Sequence, residues 1–265
     1  TVVFTNHGYA RRHGLYRWAA RQPRMLTCVL TPNMARHYGL PPDLPNLHIV
    51  SECCADALFD RPLARAAPRP AEAPVRLVGL GNIVAWKNWH LVLEALARLP
   101  AAERRRLVFE HWGPVPGDAA CRAYNERLEA LRQRHQLEAC ARFCGLSLAV
   151  EEMLRAADWF VLPSTNEPCS VALIEALALG VPALVSASGG SVDILRAEET
   201  GLLFEPENVD SLAASLGRIA RGEAPMRPPE HIRESVRERS ATAVAAAYER
   251  VYARARAAQA EPEHV

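Results

Sequence analysis

From Val75 onward, short apolar runs alternate with stretches whose apolar residues recur at helical spacing. Val75–Leu80 is such a run, closed by Gly81, and Leu91, Leu93, Leu96 and Leu99 then mark a helix over His90–Leu99. The pattern repeats. Strands are predicted at Leu107–Trp112, Ala141–Cys144, Trp159–Leu162, Ala183–Val185 and Gly201–Phe204. Helices are predicted at Tyr124–Leu137, Val150–Ala157, Val171–Leu179, Val192–Arg196 and Val209–Ile219. Such alternation predicts an α/β fold, a doubly wound and mostly parallel sheet with helices on both faces. Ligands of such sheets lie beyond the carboxyl ends of the strands.

The first 60 residues follow the same pattern more briefly. Strands are expected at Val2–Thr5, Cys28–Thr31 and Leu47–Val50, with helices near Leu15–Ala20 and up to Tyr38. So few strands bury too little surface to stand alone as a domain. The direct start on a strand leads us to expect a partial domain at residues 1–60. Arg61–Pro74, rich in Ala, Pro and Arg, reads as a linker, and residues 75–230 as one complete domain. Residues 231–265 read as a C-terminal helix and tail. The helix spans Glu234–Ala258 and packs through Val236, Val244, Tyr248, Val251 and Tyr252, with residues 259–265 frayed.

Composition narrows the function classes. Apolar residues make up 49% and charged residues 23%, and the formal net charge is +1. That balance provides no overall field to draw nucleic acid or an anionic membrane. The most apolar stretch, Val171–Val185, is interrupted by Glu175, Gly180 and Pro182, so it cannot span a bilayer. The seven cysteines are scattered with no CxxC pair, which argues for buried reduced thiols rather than a zinc site.

The segment Glu167-Pro-Cys-Ser-Val-Ala-Leu-Ile-Glu175 carries the most chemical information. Glu167 precedes a helix that begins near Ser170, and Glu175 falls in its second turn. The amides of Ser170 and Val171 at that helix N-terminus form an anion site. Carboxylates repel a phosphate, so the natural partners of the two flanking acids are hydroxyls. Each charge-assisted bond of that kind contributes about 1.5–3 kcal/mol. Phosphate-binding amides flanked by hydroxyl-binding carboxylates describe a nucleotide-sugar pocket.

Glu-x7-Glu is followed by Gly180-Val-Pro182, by Gly189-Gly190 and by Thr200-Gly-Leu-Leu-Phe204. It is preceded by Asp158-Trp-Phe-Val-Leu-Pro163-Ser164. Together these resemble the retaining GT-B glycosyltransferases of family four, over roughly Val75 to Tyr252 and more loosely Phe4 to Phe59. The resemblance implies two facing Rossmann-like domains, the C-terminal donor domain complete and the N-terminal acceptor domain partial. It implies that Glu175 binds ribose hydroxyls and that Glu167 approaches the donor sugar. Gly81-Asn82-Ile-Val-Ala-Trp-Lys87 resembles the family's Gly-Arg-x4-Lys loop, which holds the diphosphate. Lys87 matches that loop, but Asn82 stands at the arginine position and cannot make a guanidinium's bidentate contact. Ser188-Gly189-Gly190 resembles the loop under the donor sugar, Asp193 stands where relatives often carry Glu, and Gly145-Leu146 lies where backbone groups meet the base. His7, in Asn6-His7-Gly8, resembles the histidine that faces the donor sugar from the acceptor side.

The activity so implied is transfer of a sugar from a nucleoside diphosphate sugar to a saccharide or lipid-linked saccharide acceptor. The Ala- and Arg-rich composition is associated with GC-rich bacteria, where the usual setting is polysaccharide or lipopolysaccharide synthesis. The expected place is the cytoplasm, at the inner face of the membrane, with peripheral membrane contact through the part outside this chain. The absence of an Asp-x-Asp predicts no metal, and no other cofactor is expected. An alternative is a sugar-nucleotide-binding fragment without turnover, favoured by the expected partial acceptor domain and by Asn82. A GT-B epimerase would need an acid/base pair, and none is evident. An NAD enzyme would need a third glycine after Gly79-Leu-Gly81.

Overall fold

The structure, a computed structural model, describes residues 1–10, 13–41, 43–63 and 73–260. Most of the expected linker (64–72) and the last residues of the expected tail (261–265) lie outside the described residues.

A small parallel sheet comes first. It contains β1 (Val2–Asn6), β2 (Met25–Val29) and β3 (Leu47–Ile49), in the order β1-β2-β3. Its helices are α1 (His13–Ala19), α2 (Pro32–His37) and α3 (Ala57–Asp60). β2 begins and ends earlier than the apolar run Cys28–Thr31 predicts. The reason is capping: Thr31 has left the strand to become the N-cap of α2, where its hydroxyl accepts from the Met34 amide at 3.3 Å.

The second sheet has six parallel strands. β4 (Val75–Leu80) is followed by α4 (Trp89–Arg98) and α5 (Ala101–Arg104), and β5 (Leu107–Trp112) by α6 (Ala119–Arg134). β6 (Ala141–Phe143) and α7 (Val150–Arg155) lead to β7 (Trp159–Leu162), α8 (Val171–Ala178) and β8 (Ala183–Ser186). α9 (Ser191–Ile194), β9 (Gly201–Phe204) and α10 (Val209–Arg221) complete the unit. Spatial order is β6-β5-β4-β7-β8-β9, which is 3-2-1-4-5-6 when counted from β4. The order reverses between β4 and β7, and that is where a doubly wound sheet opens a crevice for ligand.

The period-two alternation of the strands accounts for the two apolar layers. Leu77, Val161 and Leu184 face one layer with α4, α6 and α10, while Val78, Phe160, Leu162 and Val185 face the other with α8. Each fully buried leucine or phenylalanine in these layers contributes about 1.5–3 kcal/mol. The α8 layer also includes Val29, Leu30, Met34 and Tyr38 of the small sheet, so both sheets share one core. α6 starts earlier than its apolar spacing predicts, because Asp118 caps it by accepting from the Cys121 amide at 2.9 Å.

The expected single C-terminal helix is instead three pieces: α11 (Pro229–Glu234), a 3-10 turn (Arg237–Arg239) and α12 (Ala241–Ala260). The break lets the chain pair beside Cys54. The Cys54 amide donates to the Arg239 carbonyl at 3.1 Å, and the Ala241 amide donates to the Cys54 carbonyl at 3.0 Å. α12 thereby crosses to the small sheet, where Val244, Val251 and Ala255 pack on Leu26, Cys28 and Val50. Val236 is buried as expected, but Tyr252 is exposed. All seven cysteines are free thiols. No helix among the described residues is long and apolar enough to cross a membrane.

Candidate functional site

β4, β5 and β6 all lead into glycines at their carboxyl ends, and their backbones interlock there. The Gly81 amide donates to the Trp112 carbonyl at 3.0 Å, and the Gly113 amide to the Gly145 carbonyl at 2.9 Å. Gly113 has φ of +153°, and a Cβ on it would stand 1.9 Å from the Gly81 carbonyl oxygen. Only glycine can occupy that position without moving the β4 loop.

The loop after β4 runs from Gly81 to Asn88. It is anchored by the Ile83 amide on the Pro114 carbonyl (2.9 Å) and closed by a left-handed Asn88 at φ 57°. The Asn88 amide group donates to the Thr165 hydroxyl at 2.6 Å, and the Thr165 backbone amide to the Trp86 carbonyl at 3.2 Å. The loops after β4 and β7 are thus tied across the strand-order reversal. Their charged side chains meet there: Lys87 Nζ donates to Glu167 Oε2 at 2.5 Å, with side-chain exposures of 13% and 11%. The Lys87 ammonium also lies 4.6 Å from the centre of the exposed Trp86 ring.

Glu167 is positioned from below by the loop after β8. Its carbonyl accepts from the Gly190 amide at 2.7 Å. Gly189, at φ +58°, packs so closely that a Cβ would lie 2.3 Å from that same carbonyl. Ser170 is buried as the N-cap of α8, its hydroxyl accepting from the Leu173 amide at 3.3 Å. Val171 begins the helix and is partly exposed.

Glu175 sits about 6 Å further along the α8 axis than Val171. Among the described residues its carboxylate has no ion pair or hydrogen-bond partner, and burial alone raises its pKa above the ordinary glutamate value. The Cys54 thiol senses the same carboxylate: burial first, then the charge of Glu175, pushes it up to about 12.

Lys87, Glu167, Gly189 and Gly190 therefore form one connected group, with Ser170 three residues after Glu167 at the start of α8. The other expected residues have different surroundings. His7 Nδ1 contacts Glu52 Oε1 at 2.8 Å on the small sheet and is exposed. The Leu146 side chain is 69% exposed beyond β6. The Asn82 side chain is exposed, and its carbonyl accepts from the Trp89 indole at 3.1 Å. Asp193 turns toward the small sheet: it accepts from the Asn33 amide at 2.5 Å and pairs with Arg36 at 3.0 Å. A cleft of about 440 Å³ runs along this seam, with Ser51, Asp193, Arg239 and Arg250 in its walls. Lys87 and Glu167 do not line it. Sequence reasoning gave no role to Asn88, which closes the Lys87 loop motif, and missed Thr165 and His111. The first two look like ordinary loop residues, and the third lies inside a strand whose pattern signals only burial. Among the described residues, no three His, Cys, Asp or Glu side chains gather as a metal would require.

A doubly wound six-stranded parallel sheet that shares its core with a three-stranded parallel sheet, with charged loops at the strand-order reversal, defines a GT-B type architecture. The chain belongs to the family described as Glycosyl transferases group 1, which matches residues 60–239. It is 28% identical over 173 residues to the putative colanic acid biosynthesis glycosyltransferase WcaL of Escherichia coli, covering 60% of this chain and 40% of that protein. It is 29% identical over 150 residues to the lipopolysaccharide core biosynthesis glycosyltransferase LpsE of Rhizobium meliloti, covering 57% and 40%. The chain thus spans well under half the length of these relatives. Among solved structures, a glycosyltransferase from Rickettsia africae superposes with a TM-score of 0.80 at 16% identity, over 96% of this chain and 70% of that one. Anabaena Alr3699/HepE in complex with UDP-glucose superposes with a TM-score of 0.75 at 16% identity, over 96% and 72%.

Proposed function

We propose that this chain is the donor-binding part of a retaining glycosyltransferase that takes a sugar from a nucleoside diphosphate sugar. The observation that carries this reading is the buried Lys87–Glu167 pair at the strand-order reversal, beside the N-terminus of α8. The half-buried carboxylate of Glu175 further along the same helix, without a partner among the described residues, supports it. Relatives named for colanic acid and lipopolysaccharide synthesis favour a saccharide or lipid-linked saccharide acceptor. A fold neighbour solved with UDP-glucose favours a nucleotide sugar as donor.

In this reading the diphosphate displaces Glu167 from Lys87 and receives charge-assisted bonds from Lys87 and from the amides of Ser170 and Val171. Glu167, released, takes a hydroxyl of the donor sugar. Glu175 accepts from the ribose hydroxyls, which supply the partners that burial has denied it. The bond from the sugar's anomeric carbon to the diphosphate breaks as the acceptor oxygen bonds to that carbon on the same face. The acceptor proton passes to the departing diphosphate oxygen. His7, oriented by Glu52, contributes from the acceptor side. No metal or other cofactor is needed for this assignment.

A second reading is nucleotide-sugar binding without turnover. Asn82 favours it, since no guanidinium stands there to share the leaving-group charge. Incubation with UDP-, GDP- and ADP-hexoses, followed by NMR of the anomeric proton, separates the two. Release or transfer of sugar with retained configuration supports the first. Inversion would contradict it, and donor binding with no sugar release would leave the second.

A further inference from the structure

His111 is fully buried in β5, one residue before the end of the strand. Its Nε2 lies 2.9 Å from the Gly81 carbonyl oxygen. A carbonyl only accepts, so Nε2 carries the proton and Nδ1 is the bare nitrogen. That Nδ1 is buried with no hydrogen-bond partner among the described residues. The neighbouring ring, Trp89, is also fully buried and lies 4.4 Å from His111 between ring centres. Its indole N–H donates to the next carbonyl, that of Asn82, at 3.1 Å. Two ring donors therefore hold two consecutive carbonyls of the β4 loop toward the interior, the second together with the Val84 amide, which also donates to the Asn82 carbonyl at 3.1 Å.

A trans peptide is planar, with its N–H opposite its C=O. Drawing the Gly81 oxygen inward onto His111 turns the Asn82 amide the other way, toward the open end of the sheet. That amide takes no part in the loop's backbone hydrogen bonds. We propose that His111 and Trp89 are positioning residues that aim the Asn82 backbone amide at the donor diphosphate and keep two carbonyl oxygens away from it. This rests on the donor-binding reading above. The anion would then meet a fixed backbone donor at the position where the resembled loop carries arginine. Burial first, then the nearby Lys87 charge, lowers the His111 pKa, and its bond to Gly81 offsets this only in part, leaving it at about 4. The ring is therefore a neutral donor at physiological pH.

The test is titration calorimetry of the whole chain with UDP, GDP and ADP, and with the matching nucleosides. Variants are His111→Phe, which removes the donor, His111→Gln, which restores one, and Trp89→Phe. The expected result for His111→Phe is a roughly tenfold loss of affinity for the diphosphate, with nucleoside affinity within about twofold of wild type. Its melting temperature should change little, because removal of the bare buried nitrogen offsets loss of the bond to the Gly81 carbonyl. His111→Gln should recover most of the diphosphate affinity. If His111→Phe does not fold, Trp89→Phe carries the same comparison at the Asn82 carbonyl. Wild-type diphosphate affinity in the folded donor-less variant, or equal loss of nucleoside and diphosphate binding, would overturn the proposal alone. Failure of the wild-type chain to bind any of the three diphosphates would overturn the donor reading and this proposal with it.

Discussion

Lys87 and Glu167 are 80 positions apart in the chain, yet their side chains meet at 2.5 Å and both are largely shielded from water. A buried pair of this kind is stabilised only while both partners are present. Any ligand that takes one must also provide for the other. A nucleotide sugar does so, because its diphosphate suits the ammonium and its hydroxyls suit the carboxylate.

Substitutions at the pair should therefore separate binding from transfer. Glu167→Gln should release Lys87 and raise affinity for the bare nucleoside diphosphate several-fold, while sugar transfer falls by at least tenfold. Lys87→Ala should weaken diphosphate binding tenfold or more. It should also lower stability by about 1–3 kcal/mol, since Glu167 is left without its partner. Calorimetry and thermal melts on the same samples check both.

Glu175 should show the opposite balance between stability and binding. Burial raises its pKa, so folding favours the protonated form, and this stabilising preference is lost as pH rises past the unfolded glutamate value toward the folded one. At pH 7 the ionised group is a burden on the fold. Glu175→Gln should raise the melting temperature at pH 7 and have little effect below pH about 4. The same change should cost about tenfold, or 1.4 kcal/mol, in donor affinity.

Gly189 makes a steric prediction. An alanine there must leave φ +58° or push the Glu167 carbonyl away from 2.3 Å. Gly189→Ala should destabilise by about 1–3 kcal/mol. It should also disturb Glu167 enough to reduce transfer, read by melting and by sugar release.

The fold between Val75 and Phe204 was largely legible. Val75–Leu80, Leu107–Trp112, Trp159–Leu162 and Gly201–Phe204 form strands with the bounds that their apolar runs and closing residues predict. Errors arose where a polar side chain bonds the backbone. Thr31 and Asp118 as caps moved the ends of β2 and α6 away from the apolar pattern. The break at Arg239–Ser240 was hidden because a helical run of alanines cannot report that the chain stops to pair with Cys54. In the site, Glu167 stood out from its place just before a helix, and Lys87 from the resemblance of its loop to Gly-Arg-x4-Lys. Their pairing could not be read, because it depends on which strands become neighbours. His111 was unreadable as anything but a strand residue, since its partner is a backbone carbonyl 30 positions away.

Asp193 gives a prediction about the seam rather than the chemistry. It joins the loop after β8 to α2 through Asn33 and Arg36. Asp193→Ala should speed amide hydrogen exchange across Pro32–His37 while leaving nucleoside diphosphate affinity within about twofold.

In the proposed reading Lys87 and Glu175 hold the diphosphate and the ribose of one donor molecule. Calorimetric titration of the chain with UDP-, GDP- and ADP-sugars, beside its Lys87→Ala and Glu175→Ala variants, tests it most directly. The expected result is saturable binding of at least one donor, weakened tenfold or more by either substitution while each variant still melts cooperatively. Binding that neither substitution changes, or no binding of any donor, would contradict it.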